Sequence, residues 1–390
     1  MTFRRVLFWV HLTAGVCAGL VILTMSFTGV LLMYERQLIE WSDRAYRAAP
    51  PSDQATRLPI ETLLAQAAEQ RPQQSPTAIT LRADHQAPAA VAFGQTTVYQ
   101  DVYTGRLVGD PTTGVRRFMS EARAWHRWMS LEGDGRAIGK AISGWSNLIF
   151  LFIVLSGMYL WIPRVVNWRS VRAVAVFRRG LPGKARDFNW HNVIGIWSAV
   201  PLAIVVATAM PISFPWANAL VYRIAGEAPP VPAAPAARSN MPPPVERAPH
   251  AVATEGLDRL WTRAEQQVPG WRSINLRLGA AEGPAIFSID EGNGGQPQLR
   301  STLSLSRATG DVVRWEPFAA QTAGRRLRSW TRFTHTGEYY GLVGQTVAGI
   351  ASAGAVVLVV TGVSLALRRA AGWRARRAAS AREAARSEAA

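Results

Sequence analysis

Four histidines, His11, His126, His191 and His335, sit at the ends of four long apolar segments. His11 and His191 each open a hydrophobic run, while His126 and His335 each lie just before one. A neutral imidazole is a good axial ligand for iron, and two of them saturate a haem, which favours electron transfer over oxygen binding. If the apolar segments cross a bilayer, two histidines fall near each face, the layout expected of two stacked bis-histidine haems. His11 and His191 would then hold one haem and His126 and His335 the other. No Cys-x-x-Cys-His is present, and Cys17 is the only cysteine. Covalent haem attachment and a disulfide within the chain are excluded, so any haem is held by ligation alone. The metalloprotease His-Glu-x-x-His is absent, as are a nucleophile elbow, a phosphate loop and a dinucleotide-binding glycine pattern.

The apolar runs extend from about Val6 to Met33, Ile138 to Ile162, Trp190 to Trp216 and Tyr340 to Leu367. Each is long enough for a hydrocarbon core of about 30 Å at about 1.5 Å per residue. The first is too long for a cleavable leader and reads as an uncleaved helix. Trp9, Trp41, Trp161, Trp168, Trp190 and Trp216 fall near the ends, as an aromatic belt requires. Arg4 and Arg5 precede the first run. Seven basic residues from Arg164 to Arg186 join the second and third, and seven from Arg368 to Arg386 follow the fourth. Cytoplasmic loops carry this excess, so both termini are expected inside and the two longer connections outside. The net charge of +17 is then topology plus attraction to anionic lipid, and no motif points to nucleic acid.

The chain reads as two halves of one design. His11-x-x-x-Gly15 and His191-x-x-x-Gly195 begin the first and third spans, and Ser156-Gly157-Met158-Tyr159-Leu160 and Thr361-Gly362-Val363-Ser364-Leu365 end the second and fourth. Each outside segment predicts an amphipathic helix, Pro59 to Arg71 or Gly256 to Val268. Alternating strands follow, Thr77 to Arg82 then Ala89 to Phe93, and Ser273 to Leu278 then Ala285 to Ile289. Each ends in a hairpin turning at Thr104-Gly105 or Thr309-Gly310. A basic, aromatic stretch then leads to His126 or His335 and predicts an amphipathic surface helix. Parallel halves imply a pseudo-twofold axis along the membrane normal, across which His11 faces His191 and His126 faces His335. Arg4, Arg5, Arg127, Arg325 and Arg332 are the candidate partners of haem propionates. Arg123 and Arg328, with Arg127 and Arg332, supply positive charge for an anionic or oxygen-rich substrate. His85 and His250 read as surface residues, and Pro229 to Pro249 as a flexible Pro/Ala linker.

Trp125-His126-Arg127, Ser156-Gly157-Met158-Tyr159-Leu160-Trp161 and His335-Thr336-Gly337-Glu338-Tyr339-Tyr340-Gly341 resemble the PepSY-associated transmembrane proteins, and the outside units resemble PepSY domains. The resemblance covers nearly the whole chain. It implies a mainly α membrane protein with four transmembrane helices in duplicated halves and two periplasmic α+β domains. The boundaries are 1–36 for the first span, 37–114 for one PepSY-like domain and 115–165 for an interfacial helix with the second span. The basic loop is 166–189, the third span 190–216, and the linker with the second PepSY-like domain 217–323. An interfacial segment and the fourth span occupy 324–370, and a basic tail 371–390. Members include ferric-siderophore reductases with b-type haem. The resemblance thus implies two haem b on His11, His126, His191 and His335, with no catalytic side chain beyond them. It also implies electrons passing outward through a bacterial inner membrane to a periplasmic ferric-siderophore. The donor would be a cytoplasmic flavin reductase or quinol. Family members often carry Arg after the first and third histidines, where this chain has Leu12 and Asn192. Two other functions remain open: reduction of another periplasmic acceptor, quinone or copper, and a non-enzymatic PepSY module that binds or regulates a peptidase.

Overall fold

A computed structural model describes residues 2–52, 54–110, 114–163, 165–230, 254–279 and 283–388. Most of the expected linker and His250 lie outside the described residues. The chain divides into two compact units. One comprises Met1–Tyr34, Ser120–Asn218 and Thr334–Ala390, the other Glu35–Met119 and Ala219–Phe333.

The first unit holds four helices long and apolar enough to cross a membrane. The first is α1 (Phe3–Leu32). A short helix, α2 (Glu35–Ser42), follows it in the chain, and α3 (Ile60–Gln70) and α4 (Val115–Trp128) precede the second long helix, α5 (Gly135–Trp161). Then come α6 (Trp168–Ala175) and the third, α7 (Gly183–Ser213). After α8 (Pro215–Ile224), α9 (Leu257–Gln267) and α10 (Ala323–His335), α11 (Gly341–Glu388) is the fourth. In the bundle α1 and α7 each pack against α5 and α11. The surface is apolar: Leu20 is 77% exposed and Ile350 68%. The interior is small and polar, with Ser26, Thr28, Ser146, Asn147, Ser156, Thr208, Ser352 and Thr361 buried. That inverts the soluble pattern and suits helices that associate in lipid through close packing and hydrogen bonds. Asn147 Nδ2 donates to Val206 O at 3.1 Å and joins α5 to α7. Gln345 Nε2 donates to Met33 O at 2.6 Å, satisfying a carbonyl at the end of α1. The helix α11 runs on to Glu388, through residues expected as a separate tail, because an Ala- and Arg-rich sequence has high helix propensity.

The second unit is built on one antiparallel sheet. Its strands are β1 (Ala78–Arg82), β2 (Ala89–Phe93), β3 (Thr96–Gln100), β4 (Leu107–Gly109), β5 (Ser273–Arg277), β6 (Ala285–Asp290), β7 (Arg300–Leu305) and β8 (Val312–Pro317). Their order is β4-β3-β2-β1-β5-β6-β7-β8. The two segments expected as separate domains therefore share a sheet. They meet where β1 pairs with β5, Ala78 opposite Arg277 through Arg82 opposite Ser273. Each meander alone would leave an open edge at β1 or β5, and pairing removes both edges. The two helices interlock as well. Glu61 N donates to Asp258 Oδ1 and Asp258 N to Glu61 Oε1, each at 3.2 Å, so each first turn is capped by the other helix's carboxylate. Leu63, Leu64, Ile79, Val91, Leu260, Ile274, Leu276 and Phe287 belong to one core. Ile79, opposite Leu276 and 0% exposed, tests that continuity. Ile79→Asp buries a carboxylate at the seam and is expected to cost about 4 kcal/mol or more. At the half-exposed Ile286, Ile286→Asp should cost about 1 kcal/mol or less. Denaturant unfolding of the sheet signal would reveal equal costs if the seam were not core.

Candidate functional site

His11 lies early in α1, and its Nδ1 is 2.8 Å from Ser156 Oγ near the end of α5. Ser156 Oγ gives its own proton to Ile153 O at 3.1 Å. When Ser156 keeps that bond its only proton is spent, and Nδ1 donates in the first. The same arrangement recurs where α7 meets α11. His191 Nδ1 donates to Thr361 Oγ1 at 3.0 Å, and Thr361 donates to Val357 O at 2.8 Å. His126, near the end of α4, donates from Nδ1 to Met25 O at 3.0 Å, with Thr28 Oγ1 at 3.1 Å. His335, the last residue of α10, donates from Nδ1 to Val205 O at 2.9 Å. Carbonyl oxygens only accept, so these two rings also carry their proton on Nδ1. With Nδ1 donating, a neutral imidazole carries its lone pair on Nε2. Metal-bound histidines are oriented in this way, the second nitrogen donating to a carbonyl, carboxylate or water.

The helices make room for the rings with glycine. A Cβ at Gly157 would stand 3.3 Å from His11 Cε1, one at Gly362 3.2 Å from His191 Cε1, and one at Gly29 3.5 Å from His126 Cε1. Each glycine directly follows the hydroxyl residue of its site: Ser156, Thr361 or Thr28. Met25 comes fourteen residues after His11 and Val205 fourteen after His191. The two histidine levels are thus about 21 Å apart along α1 and α7.

His126 and His335 come together, their ring centroids 6.2 Å apart with the planes inclined at 47°. At that separation the two rings are close enough that both could serve one metal centre. Burial, reinforced by His335, pushes the His126 imidazole down to about 4, so it is neutral at physiological pH. His11 and His191 stand at the other end of the bundle, within electrostatic reach of each other. Among the described residues no three His, Cys, Asp or Glu side chains group to hold a bare metal ion. A metal at either pair would bring its remaining ligands with it, as iron in a porphyrin does.

The expected arginines divide. Arg4 donates to Leu160 O and Ile162 O, both at 2.7 Å, and caps α5. Arg127 lies over the Trp128 ring at 5.0 Å. Burial lowers the pKa of Arg123, and the charge of Arg127 adds to the effect. In the sheet unit Arg325 pairs with Glu316 at 2.7 Å, Arg332 lies over Phe333 at 5.5 Å, and burial lowers Arg328. Glu338 is buried and accepts from Thr336 Oγ1 at 2.7 Å. His85 is exposed.

A family model described as the PepSY-associated TM region matches residues 8–369. The chain belongs to the PepSY-associated transmembrane family. It is a multi-pass membrane protein. No curated protein matches it. In this PepSY-associated chain the sequence pointed to the histidines but not to what holds them. Ser156-Gly157 and Thr361-Gly362 stood out as matched helix endings, yet their contact with His11 and His191 depends on how the helices pack. Thr28-Gly29 and the Met25 and Val205 carbonyls carried no signal beyond their distance from His11 and His191.

Proposed function

We propose that the chain is a dihaem b-type cytochrome of a bacterial inner membrane, passing electrons outward to reduce a periplasmic ferric-siderophore. The observation that carries this reading is the common setting of the four histidines: each Nδ1 is held by a neighbouring helix, and His126 and His335 have their ring centroids 6.2 Å apart. His11 and His191 hold one haem, and His126 and His335 the other. Haem held by these histidines would supply a one-electron couple. The protein's part is to fix the rings, keep them neutral and wrap them in apolar helices. The basic segments at Arg169 to Arg186 and Arg368 to Arg386 orient the chain with both termini cytoplasmic. The pair at His11 and His191 is then the entry level and the pair at His126 and His335 the exit. The matched spacing in α1 and α7 and the mirrored strand order support a duplicated ancestry. Arg123, Arg127, Arg328 and Arg332 offer positive charge to propionates or to an oxygen-rich chelate. A flavin reductase or quinol donates the electrons.

Sided vesicles test this. Holoprotein pre-reduced from the cytoplasmic side should be oxidised by ferric-siderophore added on the periplasmic side, as followed in the α band. His335→Ala should abolish that oxidation while the remaining haem stays reducible. Reduced protein that ignores hydroxamate and catecholate chelates but is oxidised by quinone or Cu(II) would make this a reductase of another acceptor.

A further inference from the structure

The connection between α5 and α7 carries bonds that a loop in water would not need. It holds α6 (Trp168–Ala175) and the turn that follows. The last four carbonyls of a helix have no partner within it and are ordinarily left to water. In α6, Arg172 O accepts from Val176 N at 3.2 Å. Side chains of the spanning helices take the other three carbonyls and the next one. Asn189 Nδ2 donates to Ala173 O at 3.4 Å and to Val176 O at 3.1 Å. Trp161 Nε1 donates to Val174 O at 3.3 Å, and Trp197 Nε1 to Ala175 O at 3.0 Å. Asn189 is buried, and its Oδ1 accepts from Arg178 N at 3.0 Å. Trp197 comes six residues after His191 on α7, about 9 Å further along the span, and helical side chains lean back toward the helix start. The end of α6 therefore sits at about the depth of His191.

The side chains of this connection agree. Val165 is 65% exposed, Val166 72%, Trp168 76% and Phe177 55%. Phe177 meets Trp190 edge-on at 6.2 Å, so this apolar surface continues onto the exposed apolar surface of α7. A contiguous apolar patch of this kind marks a surface that something covers. Arg169, Arg172, Arg178 and Arg179 are exposed in the same segment. We infer that residues 165–177 are inserted in the leaflet at the His11 and His191 end of the bundle, with anionic phospholipid as their partner. Acyl chains cover Val165, Val166, Trp168 and Phe177, and headgroup phosphates meet the four arginines. Irregular backbone survives at membrane depth only where protein satisfies it, and Trp161, Asn189 and Trp197 do that here. Arginine stems lie along apolar surface while their charged heads reach the headgroup level. Basic side chains at that level favour anionic over neutral lipid. The inference concerns the bundle and its lipid, and it stands whether or not haem is bound.

The test uses the full chain in lipid nanodiscs, with Cys17→Ser so that one introduced cysteine carries a nitroxide. Val166→Cys and Phe177→Cys report on the segment. Leu20→Cys, at a site 77% exposed on the first span, sets the lipid end of the scale. Glu69→Cys, on the exposed side of α3, sets the water end. Relaxation by oxygen, which concentrates in lipid, is compared with relaxation by a water-soluble nickel chelate. The labels at 166 and 177 should behave like the one at 20. Labels as open to nickel as the one at 69 would overturn the insertion. Trp197→Phe removes the donor to Ala175 O and should open the label at 177 to nickel; no change would mean that the caps do not hold the segment down. For lipid identity, bimane on the Val166→Cys variant should be quenched more strongly by brominated phosphatidylglycerol than by brominated phosphatidylcholine. Adding Arg169→Gln and Arg172→Gln should lower that preference about 5-fold or more, since each basic residue near an anionic surface contributes about 1 kcal/mol. Equal quenching by the two lipids before the arginines are changed would refute the anionic partner.

Discussion

His11→Ala and His191→Ala are each expected to remove the same one of two haems, and His126→Ala and His335→Ala the other. The effect is large because an axial imidazole is half of the protein's direct hold on the iron. An alanine also leaves its partner facing a cavity inside the bundle. The pairing follows from the structure at one level most directly, where His126 and His335 stand 6.2 Å apart. At the other level it follows from the shared position of His11 and His191 at one end of the bundle and their matched bonds to Ser156 and Thr361. Pyridine haemochrome analysis of purified protein should fall from two haems per chain to one in every single variant. Combining His11→Ala with His191→Ala should remove no more than either alone. Combining His11→Ala with His126→Ala should empty the chain. A folded single variant that keeps both haems would refute the ligand set at that position. Circular dichroism separates haem loss from unfolding.

The frame of this site was legible because membrane chemistry writes plainly. Four long apolar runs can satisfy their backbone only as helices. The histidines stood out because a polar ring at a membrane end is uncommon and these four recur at matched offsets. The strand Ala89–Phe93 was read with the bounds it has, and its burial alternates with Val91 and Phe93 inside. What stayed hidden was non-local. Alternation in β1 and β5 shows which face is buried, but not which strand lies alongside. Two domains were therefore expected where one sheet formed, since edge pairing leaves no mark in either strand alone. The Nδ1 acceptors were hidden for the same reason. A serine followed by glycine in an apolar run looks like any small-residue packing site until the helix across from it is known. Nothing in the sequence announces a backbone carbonyl as a partner. Arg4 was legible as a charge but not as a cap: its Nη2 donates to the Leu160 and Ile162 carbonyls left over at the end of α5, a contact that depends on how α1 packs.

Gly337 is the position where a small change should strike the site hardest without touching a ligand. It stands two residues after His335, with φ at +70°. Gly337 N donates to Thr334 O at 3.0 Å, and Tyr340 N to Gly337 O at 3.2 Å. The chain thus leaves His335 through a tight turn, Glu338–Tyr340, before α11 begins. A Cβ on Gly337 would run into the backbone of Gly344, and one on Gly344 would reach Tyr340 Cβ at 2.7 Å. The two glycines let the turn fold flat onto the first turns of α11, which fixes where α10 ends and so where the His335 ring lies. A non-glycine residue held at positive φ costs about 1–3 kcal/mol, and overpacking against backbone adds about the same again. Gly337→Ala should therefore weaken the bundle by about 2–6 kcal/mol and, in protein that still folds, displace His335. The haem shared with His126 should be lost while the one on His11 and His191 stays. Gly94→Ala is the control: its φ is +60°, but nothing lies within 4 Å of the added Cβ. It should keep both haems. Thermal melting and haem content measured together decide the matter. Gly337→Ala with two haems and an unchanged melting point would mean that His335 is placed by α10 alone and that the turn has no part in the site.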